Sequence, residues 1–123
     1  MNLATFGFIV TGVLLNAIAQ LLLKAGAKAV GEIHLTASNW FAIGLKVATQ
    51  LPIIGGLACY VLSVLLWIVA LSRVDVSVAY PMLSLGYVVA ALGAWYFLGE
   101  AITPQRIVAM AVILVGVALM ARA

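Results

Sequence analysis

Charge is confined to a few short stretches of this chain, and that distribution limits its possible folds more than any other feature. The six basic and three acidic side chains are Lys24, Lys28, Lys46, Arg73, Arg106, Arg122, Glu32, Asp75 and Glu100. Between them lie charge-free runs at residues 3–23, 51–72, 76–99 and 107–121. A helix crossing the hydrocarbon core needs about 20 apolar residues, and the first three runs meet that outright. The fourth gains length if Thr103 caps it, Pro104 opens it and Arg106 snorkels to the headgroups. Backbone in lipid must satisfy its own hydrogen bonds, so these runs are expected to be helices. Without period-two alternation they make no barrel.

Composition agrees. Of the 123 residues, 67% are hydrophobic and 7% charged, and mean hydropathy is +1.32. Soluble domains are roughly half apolar and a quarter charged, so a water-soluble monomer, a disordered segment and a disulfide-stapled secreted domain are excluded. With one His and one Cys, a hydrolase or metalloenzyme is disfavoured. No catalytic residue, metal, cofactor or nucleic-acid partner is expected. The expected fold is an all-α integral membrane protein: one domain over residues 1–123, with spans at 3–23, 51–72, 76–99 and 103–121. Only Met1 and Asn2 precede the first run, with no basic leader, so that run is expected to remain in the mature chain. Cys59, alone in the second run, reads as a small core filler.

An even number of spans puts both termini on one side. Lys24, Lys28, Lys46 and Arg106 then share the opposite side, against Arg73 and Arg122. This bias weakly favours a cytoplasmic location for the first and third loops. Insertion in both orientations, with head-to-tail pairing, stays open. The long first connection, 25–50, contains a candidate helix at 39–49 capped by Ser38 or Asn39. Its Trp40, Phe41, Gly44, Leu45 and Ala48 would form one stripe, suited to lying in the interface as an aromatic anchor or as a gate or collar for lipid.

Polar residues inside spans usually face protein or a cavity. Gly12, Asn16, Gln20 and Lys24 recur at i+4 along the first span, and Lys24 lies about 12 Å along the axis from Asn16 at 1.5 Å per residue. Tyr60, Ser63 and Trp67 in the second span, and Tyr80, Ser84 and Tyr87 in the third, add aromatic and hydroxyl stripes. Together they would line a groove suited to a sugar or another hydroxyl-rich head group. The alternative is amides bonding between helices and aromatics anchoring ordinary spans. Pro81 kinks the third span if that span starts at Val76, and lies in its first turn if it starts near Ala79. Gly86, Ala90 and Ala94 permit close helix approach. The bulky fourth span reads as lipid-facing or dimer-forming.

The stretch Leu71-Ser72-Arg73-Val74-Asp75-Val76-Ser77-Val78-Ala79-Tyr80, continuing Pro81-Met82-Leu83-Ser84-Leu85-Gly86-Tyr87-Val88, resembles the third helix of the small multidrug resistance family. That family belongs to the drug/metabolite transporter superfamily. Gly99-Glu100 followed by Thr103-Pro104 is similar to the family's junction between helices 3 and 4, and Asn16 to Lys24 to the end of its helix 1. Drug-exporting members carry a membrane-embedded glutamate eight residues before the lysine. Here that position is Asn16, which cannot ionise, and no other carboxylate lies inside a run. Tyr80 to Leu85, with Tyr60 to Val64 and Trp67, is closer to a branch containing the paired subunits of the bacterial flippase for aminoarabinose-phosphoundecaprenol.

That resemblance implies a dimer, with itself or with a related four-helix chain. It implies a location in the bacterial inner membrane among membrane lipids, and a lipid-linked sugar as substrate. Lys24, Lys28 and Arg73 would pair with phosphate; Asn16, Gln20, Tyr60, Ser63, Trp67, Tyr80, Ser84 and Tyr87 would meet the sugar. Movement by alternating access would concentrate near Pro81 and Gly86. Two alternatives stay open: an exporter of a neutral or anionic metabolite on the same fold, and a non-transporting membrane subunit of a glycosyltransferase system.

Overall fold

The computed structural model describes residues 2–31 and 36–122. It is all-helical among those residues: α1 Leu3–Val30, α2 Trp40–Ala48, α3 Leu51–Leu71, α4 Val76–Met82, α5 Ser84–Leu98 and α6 Pro104–Ala121. Four stretches are long and apolar enough to cross a membrane, with α4 and α5 together making the third, Val76–Leu98. The chain is a multi-pass membrane protein.

Local chemistry sets the ends. The Asn2 side chain accepts from the Thr5 backbone N–H at 2.8 Å and starts α1. Thr103 Oγ1 accepts from the Arg106 N–H at 3.2 Å, and Pro104 occupies the first turn of α6, as its sequence predicts. Removing the cap with Thr103→Ala should cost about 1 kcal/mol, read as a lower melting temperature in detergent. The α1 helix runs on to Val30, past the expected end of its span. Lys24 marks where the apolar run stops, but Ala25, Ala27 and Lys28 are good helix formers that hold the helix outside the apolar layer. At α2 the Asn39 side chain turns back to accept from the Thr36 N–H at 2.6 Å and makes no side-chain cap to the helix. Trp40, Phe41 and Leu45 of α2 are exposed.

The third span starts at Val76, so Pro81 lies inside α4. Proline donates no hydrogen bond, and the ladder loosens there. Leu83 N–H bonds the Tyr80 carbonyl at 3.0 Å and Gly86 N–H bonds the Leu83 carbonyl at 2.9 Å. These three-residue steps separate α4 from α5 at Leu83. Gly86 is a packing residue here: a Cβ at that position would stand 3.1 Å from Val13 Cγ1 and 3.3 Å from the Val13 carbonyl.

Packing is uneven along the bundle. The α1 helix lies chiefly against α3 and then α5, while α4 and α5 both meet α6. Ile9, Val13, Ala70, Met82 and Val117 form a buried core, flanked by Phe8, Trp67 and Val74. These come from the start of α1, the end of α3, α4 and the end of α6, so the apolar core sits at the Arg73 end. At the other end α1, α5 and α6 leave open clefts.

Candidate functional site

The i+4 stripe of α1 divides between two walls. Each i+4 step drifts about 40° around a helix of 3.6 residues per turn, so three steps turn through about 120°. Gly12 and Asn16 therefore face α3, whereas Gln20 and Lys24 face α5 and α6.

The inner pocket holds about 150 Å³ and is lined by Gly12, Asn16, Tyr60, Ser63, Val64, Trp67 and Leu83. At Gly12 the backbones of α1 and α3 come close: a Cβ there would lie in ordinary contact with the Ser63 carbonyl, at 3.5 Å. Ser63 is buried, and its Oγ donates to the Tyr60 carbonyl at 2.6 Å. Its proton is committed to its own helix and its lone pairs remain to accept. No hydrogen bond ties the Asn16 or Gln20 side chain to another described residue. An amide at hydrocarbon depth is costly without a partner, and the Asn16 side chain lines the pocket with its donor and acceptor groups uncommitted to any described residue.

The outer cleft, about 430 Å³, is lined by Gln20, Lys24, Tyr87, Ala90, Ala94, Glu100, Arg106 and Met110 among others. A neighbouring cleft of about 600 Å³ shares Lys24, Leu98 and Glu100 with it and adds Lys28 and Gly31. Lys28 Nζ donates to the Leu98 carbonyl at 3.1 Å, binding the end of α1 to the end of α5. A cation there also suits the carbonyl-rich C-terminus of a helix. Arg106 Nη1 donates to the Ala101 carbonyl at 2.7 Å. Among the described residues, the clefts thus gather three cations and one carboxylate.

Of the residues expected to act together, Asn16, Tyr60, Ser63 and Trp67 share the inner pocket, and Gln20, Lys24 and Tyr87 share the outer cleft. Ser84 lies with Pro81 in a third crevice of about 370 Å³ against Gly116, Val117 and Met120 of α6. Tyr80 is 65% exposed and lines none of these cavities. Arg73 is at the far end from Lys24 and Lys28, because α3 runs antiparallel to α1. Its guanidinium lies over the Phe8 ring, 5.0 Å from the centroid. The cation that joins Lys24 and Lys28 is Arg106, with Glu100 beside it. The signal for both was the loop assignment, which puts the first and third loops on one side.

A helical membrane chain with a polar pocket at mid-depth and a charged cleft at one mouth has the architecture of a membrane transporter. The chain belongs to the EamA-like transporter family, which it matches over residues 1–122. It is 37% identical over 117 residues to a protein of Photorhabdus laumondii subsp. laumondii named as a probable 4-amino-4-deoxy-L-arabinose-phosphoundecaprenol flippase subunit, ArnF; the match covers 89% of this chain and 90% of that protein. The ArnF protein of Yersinia enterocolitica is 33% identical over 116 residues, covering 91% of this chain and 89% of that one. A probable subunit ArnE of the same flippase, from Pseudomonas savastanoi pv. phaseolicola, is 44% identical over 61 residues, covering 50% of this chain and 54% of that protein. Against that relative the chain spans about half the length. No solved structure matches the chain significantly.

Proposed function

We propose that this protein is a subunit of a flippase that moves a polyprenyl-phosphate-linked monosaccharide across the bacterial inner membrane. It would act as half of a dimer with itself or with a related four-helix chain. The observation that carries this reading is the separation of an uncharged amide-and-hydroxyl pocket at Asn16 from a cation-lined mouth at Lys24, Lys28 and Arg106. A desolvated drug cation needs an anionic partner, and the inner pocket offers none. A phosphate suits the mouth, where charge-assisted hydrogen bonds are strong. Sugar hydroxyls suit Asn16, Gln20, Tyr60 and the lone pairs of Ser63. The polyprenyl tail would stay in lipid, with the crevice of Pro81, Ser84 and Met120 as a path along the protein. Tyr80 and Arg73, outside the protomer's own clefts, are left for a groove completed by the second subunit. In alternating access the core end would act as the closed side and the joint at Leu83 would let α5 move relative to α4.

The test is flipping of a labelled lipid-linked sugar in reconstituted vesicles. A variant combining Asn16→Leu and Lys24→Ala should lose at least about tenfold in rate, the scale of one hydrogen bond to a charged group. Normal flipping by that variant would remove these residues from the site. Saturable uptake of a water-soluble compound, without lipid dependence, would favour a metabolite exporter.

A further inference from the structure

Among the described helices, α2 alone has no buried residue, and none of its residues lines the four cavities described above. Its side chains fall into three sectors around a helix that turns about 100° per residue. Ile43 and Val47 are half-buried and face the bundle, where α2 meets α1 and α3. Trp40, Phe41, Gly44, Leu45 and Ala48 are exposed and cover an adjoining arc of about 140°. The remaining arc holds Ala42 and Lys46, also exposed. Protein on one side, an open apolar sector on the next and a cation on the third is the cross-section of a helix lying flat in a bilayer surface. The depth of α2 agrees. Gly26 of α1 packs against Ile53 in the first turn of α3, and Lys28 reaches the Leu98 carbonyl. The end of α2 that leads into α3 is therefore level with the last turn of α5, where Trp95, Tyr96 and Phe97 are exposed. Exposed aromatic side chains of this kind gather at the membrane–water boundary. Immediately after α2, Leu51, Ile54 and Leu57 are exposed along a membrane span. The described charges at this end are Lys24, Lys28, Lys46 and Arg106 against Glu100, a surplus that suits an anionic leaflet.

We propose that α2 is a docking surface for anionic phospholipid. Trp40, Phe41 and Leu45 enter the boundary of the acyl chains, and Lys46, on the far side of the helix from the middle of that apolar arc, reaches the headgroup phosphates. Its flexible stem lets the ammonium lie at phosphate level while the helix stays half sunk. Cations held close to the membrane surface are drawn to anionic lipid. The surface stands apart from the clefts, so it is independent of the flippase reading, and loss of Lys46 moves the seat of α2 while leaving the substrate's route intact.

The experiment places single spin labels on α2 of the full chain, in vesicles of phosphatidylcholine alone and of phosphatidylcholine mixed with phosphatidylglycerol. Gly44→Cys, Ala48→Cys and Ala42→Cys are made with Cys59→Ala. All three α2 positions are exposed, and a Cβ at Gly44 meets nothing within 4 Å. Labels at 44 and 48 should collide with lipid-soluble oxygen more than with a water-soluble nickel chelate, and the label at 42 should show the reverse. Adding phosphatidylglycerol should shift the labels at 44 and 48 deeper, and Lys46→Gln should abolish that shift. Quenching by brominated phosphatidylcholine reads the same depth without a label: the unmodified chain should lose more emission than Trp40→Phe. Nickel-accessible labels at 44 and 48 overturn the proposal, since α2 would then stand in water. Labels there that reach neither reagent also overturn it, because protein would cover the face, and dipolar broadening between labels would identify a second copy. A depth indifferent to phosphatidylglycerol, or a shift that survives Lys46→Gln, overturns the assignment of Lys46 to anionic headgroups.

Discussion

Gly56→Leu is expected to leave almost no folded protein. A Cβ at Gly56 would stand 3.0 Å from the Ala19 carbonyl oxygen, 3.1 Å from Leu23 Cγ and 3.2 Å from Leu22 Cβ. The first of these is backbone and cannot rotate away, and the pairing of α1 with α3 is the most extensive in the bundle. A whole isobutyl group there would force the two helices apart. Overpacking of this kind costs typically 1–3 kcal/mol and more when backbone must shift. Small residues matter all the more in lipid, where association depends on close packing rather than on the hydrophobic effect. Monodisperse protein recovered by size exclusion in detergent is the measure. Gly7→Leu is the matched control: a Cβ at Gly7 meets nothing within 4 Å, and recovery should be unchanged. Full recovery of the Gly56 variant would show that the α1–α3 contact is looser than described.

The second large effect is expected on transport. Combining Lys24→Gln with Arg106→Gln removes two cations from the outer cleft and leaves Glu100 facing Lys28. A phosphate would then meet an almost neutral mouth. The loss of two charge-assisted contacts should lower flipping by about a hundredfold or more, taking about 1.5 kcal/mol or more for each. Lys46→Gln removes a cation from the same side of the membrane, in α2 and away from the clefts, and should leave flipping nearly unchanged. Loop cations also bias orientation, so protease accessibility of the loops is compared across the variants. Retained flipping with correct insertion would place the phosphate elsewhere.

The spans were legible because lipid enforces a simple rule, and charge marks where a run must stop. The Thr103-Pro104 start of α6 was legible for a local reason, since a hydroxyl and a proline act within one turn. The continuation of α1 to Val30 was not, because Lys24 marks the edge of the apolar layer while helix propensity continues through Ala25, Ala27 and Lys28. The start of α4 at Val76 settles an ambiguity over Pro81 that depends on tertiary packing. Asn16, Gln20 and Lys24 stood out as polar positions in an apolar span. Their division between two cavities depends on helix drift and on which neighbour each face meets. Arg73 shows the cost of grouping cations by type. It carries the same charge as Lys24, but the antiparallel course of α3 places it at the other end, over Phe8.

The contact between Lys28 and the Leu98 carbonyl is exposed. An exposed hydrogen bond of this sort contributes about 1 kcal/mol or less net, little above thermal energy. On the flippase reading, the vestibule would accordingly widen at small cost and admit heads of differing bulk. The recess beside Asn16 is narrower, about 150 Å³ against about 430 Å³ outside, and its wall at Gly12 is set by the approach of two backbones. On the flippase reading, sieving by size would therefore fall to the narrow recess in the depth of the membrane, while the threshold would sort by charge.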